Sequence, residues 1–215
     1  MKLLKRFTIL LIVLITIFFF NTSCFAATDQ FRAFMTWDYE NNPYHENVNN
    51  AVSHGVWTFQ KLGYINAIGT NNYTNTNDKN YLLNEWIRIS GNNYGFYIYA
   101  HGNSSGFTLE NGNSSKFVSS SDISGNWHLV FLDSCSCLAT DTFGRAFKTL
   151  GYSNRATLGW YMDIAHVASE EWWTHFYPVA GTTNIRSACL TAADQSQNKT
   201  PIRMYGDTSW YGWAW

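Results

Sequence analysis

FYIYAHG, residues Phe96–Gly102, and LVFLDSC, residues Leu129–Cys135, decide how this chain folds. Each is a short apolar run that ends in chemically active residues. Phe96–Ala100 leads into His101-Gly102, and Leu129–Leu132 leads into Asp133-Ser134-Cys135. A continuous apolar run of this length is what a strand buried on both faces looks like. Such strands belong to the centre of a sheet covered by helices on each side.

The flanking sequence supplies those helices. Upstream, Arg32–Asp38 reads as a first strand, with Ala33, Met35 and Trp37 alternating. Glu46–Leu62 has the apolar spacing of an amphipathic helix that stops at Gly63. Tyr64–Ile68 reads as a short strand, Asn71–Asn80 as a polar loop, and Lys79–Ile89 as a helix with Gly91 at its C-cap. Between the two deciding stretches lies Asn103–Asn126, rich in Gly, Ser and Asn, with room for a hairpin and a short helix. Downstream, the pattern predicts a helix over Thr142–Leu150 closed by Gly151 and a strand over Ala156–Met162. Helices over Ile164–Phe176 and Ile185–Ala193 and a last strand, Ile202–Tyr205, complete it. Strands alternating with helices imply βαβ units, hence a three-layer α/β sandwich around a mostly parallel sheet.

The first 26 residues stand apart. Lys2, Lys5 and Arg6 precede the apolar run Thr8–Phe20, and Cys24-Phe25-Ala26 offers small residues where a signal peptidase reads, so cleavage is expected after Ala26. The run is short for a membrane span, which takes roughly 20 apolar residues. Acylation of Cys24 as a lipoprotein is the other reading of the same segment. The expectation is an exported chain without a membrane span in its mature form. It would hold one domain, residues 27–215. Removal of the three leader cations leaves 11 Lys and Arg against 15 Asp and Glu. That acidic balance argues against a nucleic-acid partner, which requires a concentrated basic patch. Ten Trp in a chain with only 13% charged residues point to an aromatic core, since most fall in periodic apolar segments.

After cleavage the cysteines are Cys135, Cys137 and Cys189, an odd number in an exported protein and no disulfide framework. In a parallel sheet, ligands bind beyond the carboxyl ends of the strands. His101 and Cys135 each follow such an end, so they can meet if their strands are neighbours. An imidazole beside a thiol can accept its proton and make it a nucleophile. Gly102 lets the backbone approach a substrate closely. Its N–H and that of Cys135 would form an oxyanion hole. Taken singly, His-Gly is also simply a strand end, and a buried Cys is often inert packing. The order His then Cys argues against a papain-like arrangement.

The two quoted stretches together resemble the paired signature of clan CD cysteine peptidases, the group of caspases, metacaspases, clostripain, gingipains, legumain, separase and the CHAT domain. FGRAFKTLGYSNRATLGWYMDI (Phe143–Ile164), WWTHFY (Trp172–Tyr177) and MYGDTSW (Met204–Trp210) are similar to the segments that follow the nucleophile in that group. The resemblance implies a caspase-like fold, a peptide or protein substrate, His101 as general base, Cys135 as nucleophile and Gly102 as an oxyanion donor. It also implies that Asp133 lines the specificity pocket (S1) and favours Arg or Lys before the cleaved bond; the residue itself could equally be a turn or capping residue. Ser136, Cys137 and Leu138 stand where metacaspases carry His-Ser-Gly. The 34 positions from His101 to Cys135 leave little room for elaborate substrate loops.

Other chemistry finds little support. A Cys135–Cys137 disulfide would close a strained ring. Cys189 reads as core. His45, His54, His128, His166 and His175 show no metal-binding spacing, no carboxylate cluster suggests calcium, and no cofactor motif is present. The competing reading is an inactive caspase-like module, exported to bind a glycan or a protein partner.

Overall fold

The computed structural model describes residues 30–36, 43–69, 72–87, 94–198 and 200–213. The expected leader, Trp37, Asp38, the end of the helix expected to reach Ile89 and its Gly91 cap lie outside the described residues.

The sheet begins with β1 (Gln30–Thr36), and the apolar spacing of the next segment forms α1 (His45–Lys61). Val48, Ala51, Val52, Val56 and Phe59 share one buried stripe of α1, as the 3.6-residue repeat requires. The helix ends where Gly63, at φ +90°, turns its N–H back onto Gln60 O at 2.9 Å. Two short strands follow, β2 (Ile65–Asn66) and β3 (Thr74–Thr76), the latter inside the expected loop. Helix α2 (Lys79–Leu82) is capped by Asp78, whose Oδ1 accepts from Asn80 N and Tyr81 N, and it widens into a π-turn over Leu83–Ile87.

The two deciding stretches form β4 (Tyr94–Asn103) and β7 (Trp127–Ser134). Between them a small hairpin, β5 (Gly106–Thr108) and β6 (Phe117–Ser119), folds back on the end of β4. After the second stretch come α3 (Thr142–Ala146), β8 (Ala156–Trp160), α4 (His166–Val179), α5 (Ile185–Gln195) and β9 (Ile202–Gly206). The helix expected to reach Leu150 stops at Ala146. Beyond it the N–H groups of Thr149 and Leu150 both turn to Gly144 O, and Phe147 O receives Trp127 N instead of a helical donor. Lys148 takes φ +53° and Gly151 φ +86° as the chain reverses.

The sheet order is β2-β1-β4-β7-β8-β9. All its neighbours are parallel except β8 and β9, so the sheet is mostly parallel, as the strand–helix alternation implied. Alternation splits the core. Tyr97, Tyr99, Leu129 and Phe131 face α1, α4 and α5, whereas Phe96, Ile98, Val130 and Leu132 face Leu82, Phe107, Phe143 and Phe147. This is a three-layer α/β sandwich. Trp127, Trp160, Trp172 and Trp173 are fully buried in it, with Phe131 and Trp173 rings 4.5 Å apart, so these aromatics serve packing.

Candidate active site

The ladder between β4 and β7 pairs Tyr99 with Asp133 and Ala100 with Ser134. Just past this last pair come His101, still in β4 and paired with Thr108, and Cys135, in the turn that follows β7. Parallel neighbours lie about 4.8 Å apart, so both residues follow the ends of adjacent strands at the carboxyl edge of the sheet. The fold thereby places two residues 34 positions apart in sequence at the ends of neighbouring strands.

Gly102 is where the strands crowd. A Cβ there would collide with Ser134 Oγ, lie 2.8 Å from Cys137 Sγ and press on the Cys135 carbonyl at 3.1 Å. Only a glycine lets β4 run past the turn that carries the thiol. That turn is tied down on its other side. Ser136, at φ +56°, donates its N–H to Met162 O at 3.1 Å and its hydroxyl to Asp163 Oδ1 at 2.9 Å. Leu138 N reaches Trp160 O at 2.9 Å, and Arg203 holds the carbonyls of Leu138 and Ala139. A non-glycine residue in the left-handed region costs about 1 kcal/mol or more, and it persists where its surroundings fix it.

Cys135 is half-buried. Its Sγ accepts the Ile164 N–H at 3.4 Å and lies 3.7 Å from the Ile164 carbonyl. Burial pushes the thiol up and the charges of Asp163 and Asp133 add to it, while the Ile164 N–H opposes them. The resting group is therefore the thiol, which acts as a nucleophile only where a base takes its proton.

A second imidazole sits beside the first. His166, the first residue of α4, bonds Tyr99 OH through Nδ1 at 2.7 Å and packs its ring against Tyr99 and Tyr44. Burial and then the charge of His101 lower its pKa, so His101 and His166 share one electrostatic environment. The sequence reading set His166 aside as a metal ligand and missed it as a neighbour of the dyad. The signal was its place just after the end of β8, the same edge rule that singled out His101 and Cys135. Asp163 and Ile164 were missed for the same reason.

Asp133 has a setting different from the S1 role expected of it. It is 2% exposed, and both carboxylate oxygens are occupied. Oδ1 receives Trp160 Nε1 at 2.6 Å and Ser169 Oγ at 2.9 Å. Oδ2 receives Trp173 Nε1 and Ser169 Oγ, each at 2.8 Å, and Tyr97 OH at 3.0 Å. Burial raises its pKa against the pull of these four donors. A carboxylate enclosed in this way joins β4, β7, β8 and α4 beneath the dyad and has no open face for a substrate cation. Its position on the odd-numbered face of β7, opposite α4, is the physical reason.

Cys135, Cys137 and Cys189 are free thiols. Cys137 is fully buried against the hairpin, donating to Gly106 O at 3.4 Å, with its pKa pushed up by burial to about 12. Cys189 lies fully buried in the core. Among the described residues no group of three or more His, Cys, Asp or Glu could hold a metal ion. An open cleft of about 430 Å³ adjoins His101 and Gly102 on the hairpin side.

No family model and no curated protein matches the chain. Among solved structures it is similar to the Arg-specific cysteine proteinase gingipain R, with 12% identity and a TM-score of 0.47 over 83% of this chain. The chain spans 46% of that protein's length.

Proposed function

We propose that this chain is an exported cysteine-type endopeptidase with His101 as general base and Cys135 as nucleophile. The observation that supports the reading is the parallel pairing of β4 and β7, whose last pair, Ala100 with Ser134, immediately precedes His101 and Cys135 at the carboxyl edge of the sheet. His101 takes the thiol proton as Sγ attacks the peptide carbonyl. The tetrahedral oxyanion accepts the backbone N–H groups of Gly102 and Cys135. Collapse to a thioester breaks the C–N bond, and the His101 proton passes to the departing amine. Water, deprotonated by His101, then releases the acid and restores the thiol.

The bond cleaved follows Arg or Lys in this reading. The supporting carboxylate is Asp163, exposed and held by Ser136 beside the nucleophile, in place of the enclosed Asp133. Export rests on the leader at residues 1–26. Among the described residues no helix is long and apolar enough to cross a membrane. The elevated thiol favours a second reading, an inactive module of the same fold that binds a glycan or protein partner.

Turnover of fluorogenic Arg and Lys peptides by residues 27–215, set against its Cys135→Ala variant, tests the proposal. Removal of the nucleophile abolishes cleavage, and removal of the base by His101→Ala lowers kcat about 10²- to 10⁴-fold. Iodoacetamide modifies Cys135 far faster than the buried Cys189 if the dyad works. Equal, slow alkylation of both thiols together with no turnover establishes the inactive module.

A further inference from the structure

The dyad divides the edge of the sheet into two flanks. The strand of Cys135, β7, lies between β8 and β4. On the β8 flank, the sulfur is in contact with Ile164. On the β4 flank, the cleft touches His101 and Gly102 while Cys135 is absent from its lining. Acyl transfer assigns chemistry to these flanks. The carbonyl carbon bonds to sulfur, whereas the departing amine must be within reach of the imidazole that protonates it. A cleft bounded by the base and not by the nucleophile therefore lies where the leaving half of the substrate goes.

Its lining has a distinct character. Asn103, Asn111 and Asn113 line it with Thr108, Ser114 and the ring of Phe117, and among the described residues lining it none is acidic and none is Lys or Arg. Two of the amides have their oxygens committed. Asn103 Oδ1 accepts Ser105 N at 2.8 Å, and Asn113 Oδ1 accepts Ser115 N at 3.1 Å and Ser115 Oγ at 2.7 Å. Their Nδ2 groups remain to donate. Lys79 on the adjacent helix is spent: its Nζ holds Phe117 O at 2.5 Å and pairs with Asp122 at 3.0 Å, pinning the hairpin against α2. The cleft is thus a donor-bearing, uncharged site on a fixed hairpin. A charged side chain entering it would lose hydration without meeting a carboxylate, Lys or Arg among the lining residues.

We propose that this cleft receives the side chain that follows the cleaved bond and selects an uncharged one bearing a hydrogen-bond acceptor, namely Asn, Gln, Ser or Thr. The inference rests on the peptidase reading for its orientation but is tested apart from it. The probes are fluorescent peptides identical except for Asn, Lys or Asp after the Arg at the scissile position, titrated against the non-cleaving Cys135→Ala protein. Asn binds about 10-fold more tightly than either charged residue, the size of one or two neutral hydrogen bonds. Adding Asn113→Asp keeps the cap on Ser115 while removing two donors and introducing a negative charge, so the Asn preference falls and Lys overtakes it. Its thermal midpoint confirms folding. Equal binding of the three peptides, or a preference unchanged by Asn113→Asp, overturns the cleft assignment. Loss of turnover with intact binding preference overturns the peptidase reading alone.

Discussion

The two flanks of the dyad are built in opposite ways. On the β8 side, residues Asp163 to His166 pass directly from a strand end to a helix start and press charge, a backbone N–H and a second imidazole against Cys135 and His101. On the β4 side, a detour of the chain makes a hairpin that offers amides and a ring but no carboxylate or ammonium among its described lining residues. One flank is electrostatic and short, the other neutral and shaped. Under the peptidase proposal, this separation would let one flank select by charge and the other by hydrogen bonding.

Three perturbations sharpen the contrast. The largest effect is expected from Asp133→Asn. It turns donors of Asp133 toward a donor, and breaking a buried network of this kind costs about 3–5 kcal/mol. The urea midpoint measures it. A change below about 1 kcal/mol would mean that the β8 flank does not hang on this carboxylate.

Acid acts next, and away from both flanks. His128, buried near the start of β7, is lowered to about 4 from 6.5, by burial first and then by Arg155. The folded state prefers the neutral ring, so its stabilisation is complete above pH 6.5 and disappears as pH falls toward 4, on the order of 3 kcal/mol. Chemical denaturation at pH 7, 5 and 4 measures that loss, which flattens in His128→Gln. Activity lost in acid and restored by this variant belongs to the scaffold; activity that stays lost belongs to the imidazoles at the edge.

The smallest effect is expected at Asp163→Asn. An exposed carboxylate contributes modestly, so the ratio of kcat/KM for Arg over Gln before the cleaved bond falls about 2- to 5-fold. If the ratio is unchanged, charge on the acyl flank does not guide the choice of substrate.

Much of this was legible in the chain. The apolar runs of β4 and β7 located the central strands and their reactive ends, and the periodicity of α1 marked its buried stripe within one residue at each boundary. Other features were not legible, for physical reasons. Both faces of β7 are buried, so hydropathy could not reveal that Asp133 faces α4; its donors Trp160, Ser169 and Trp173 lie 27 to 40 positions away. The cleft comes from Gly/Ser/Asn sequence with no periodicity, in a spacing that argued for little room. It became visible only when β5 and β6 were folded onto β4.

The carboxylate of Asp133 has a consequence for how the molecule comes apart. Because β4, β8 and α4 all bond to one residue of β7, none of them can exchange its amides at the active edge by separating alone. The outer pairing of β2 carries no such tie among the described residues and opens locally, whereas β9 is held to the turn beyond Cys135 by Arg203. Slow hydrogen exchange around Cys135 should then follow global unfolding, so the thiol meets solvent reagents either in its built site or in the fully opened chain, with no partly opened form between.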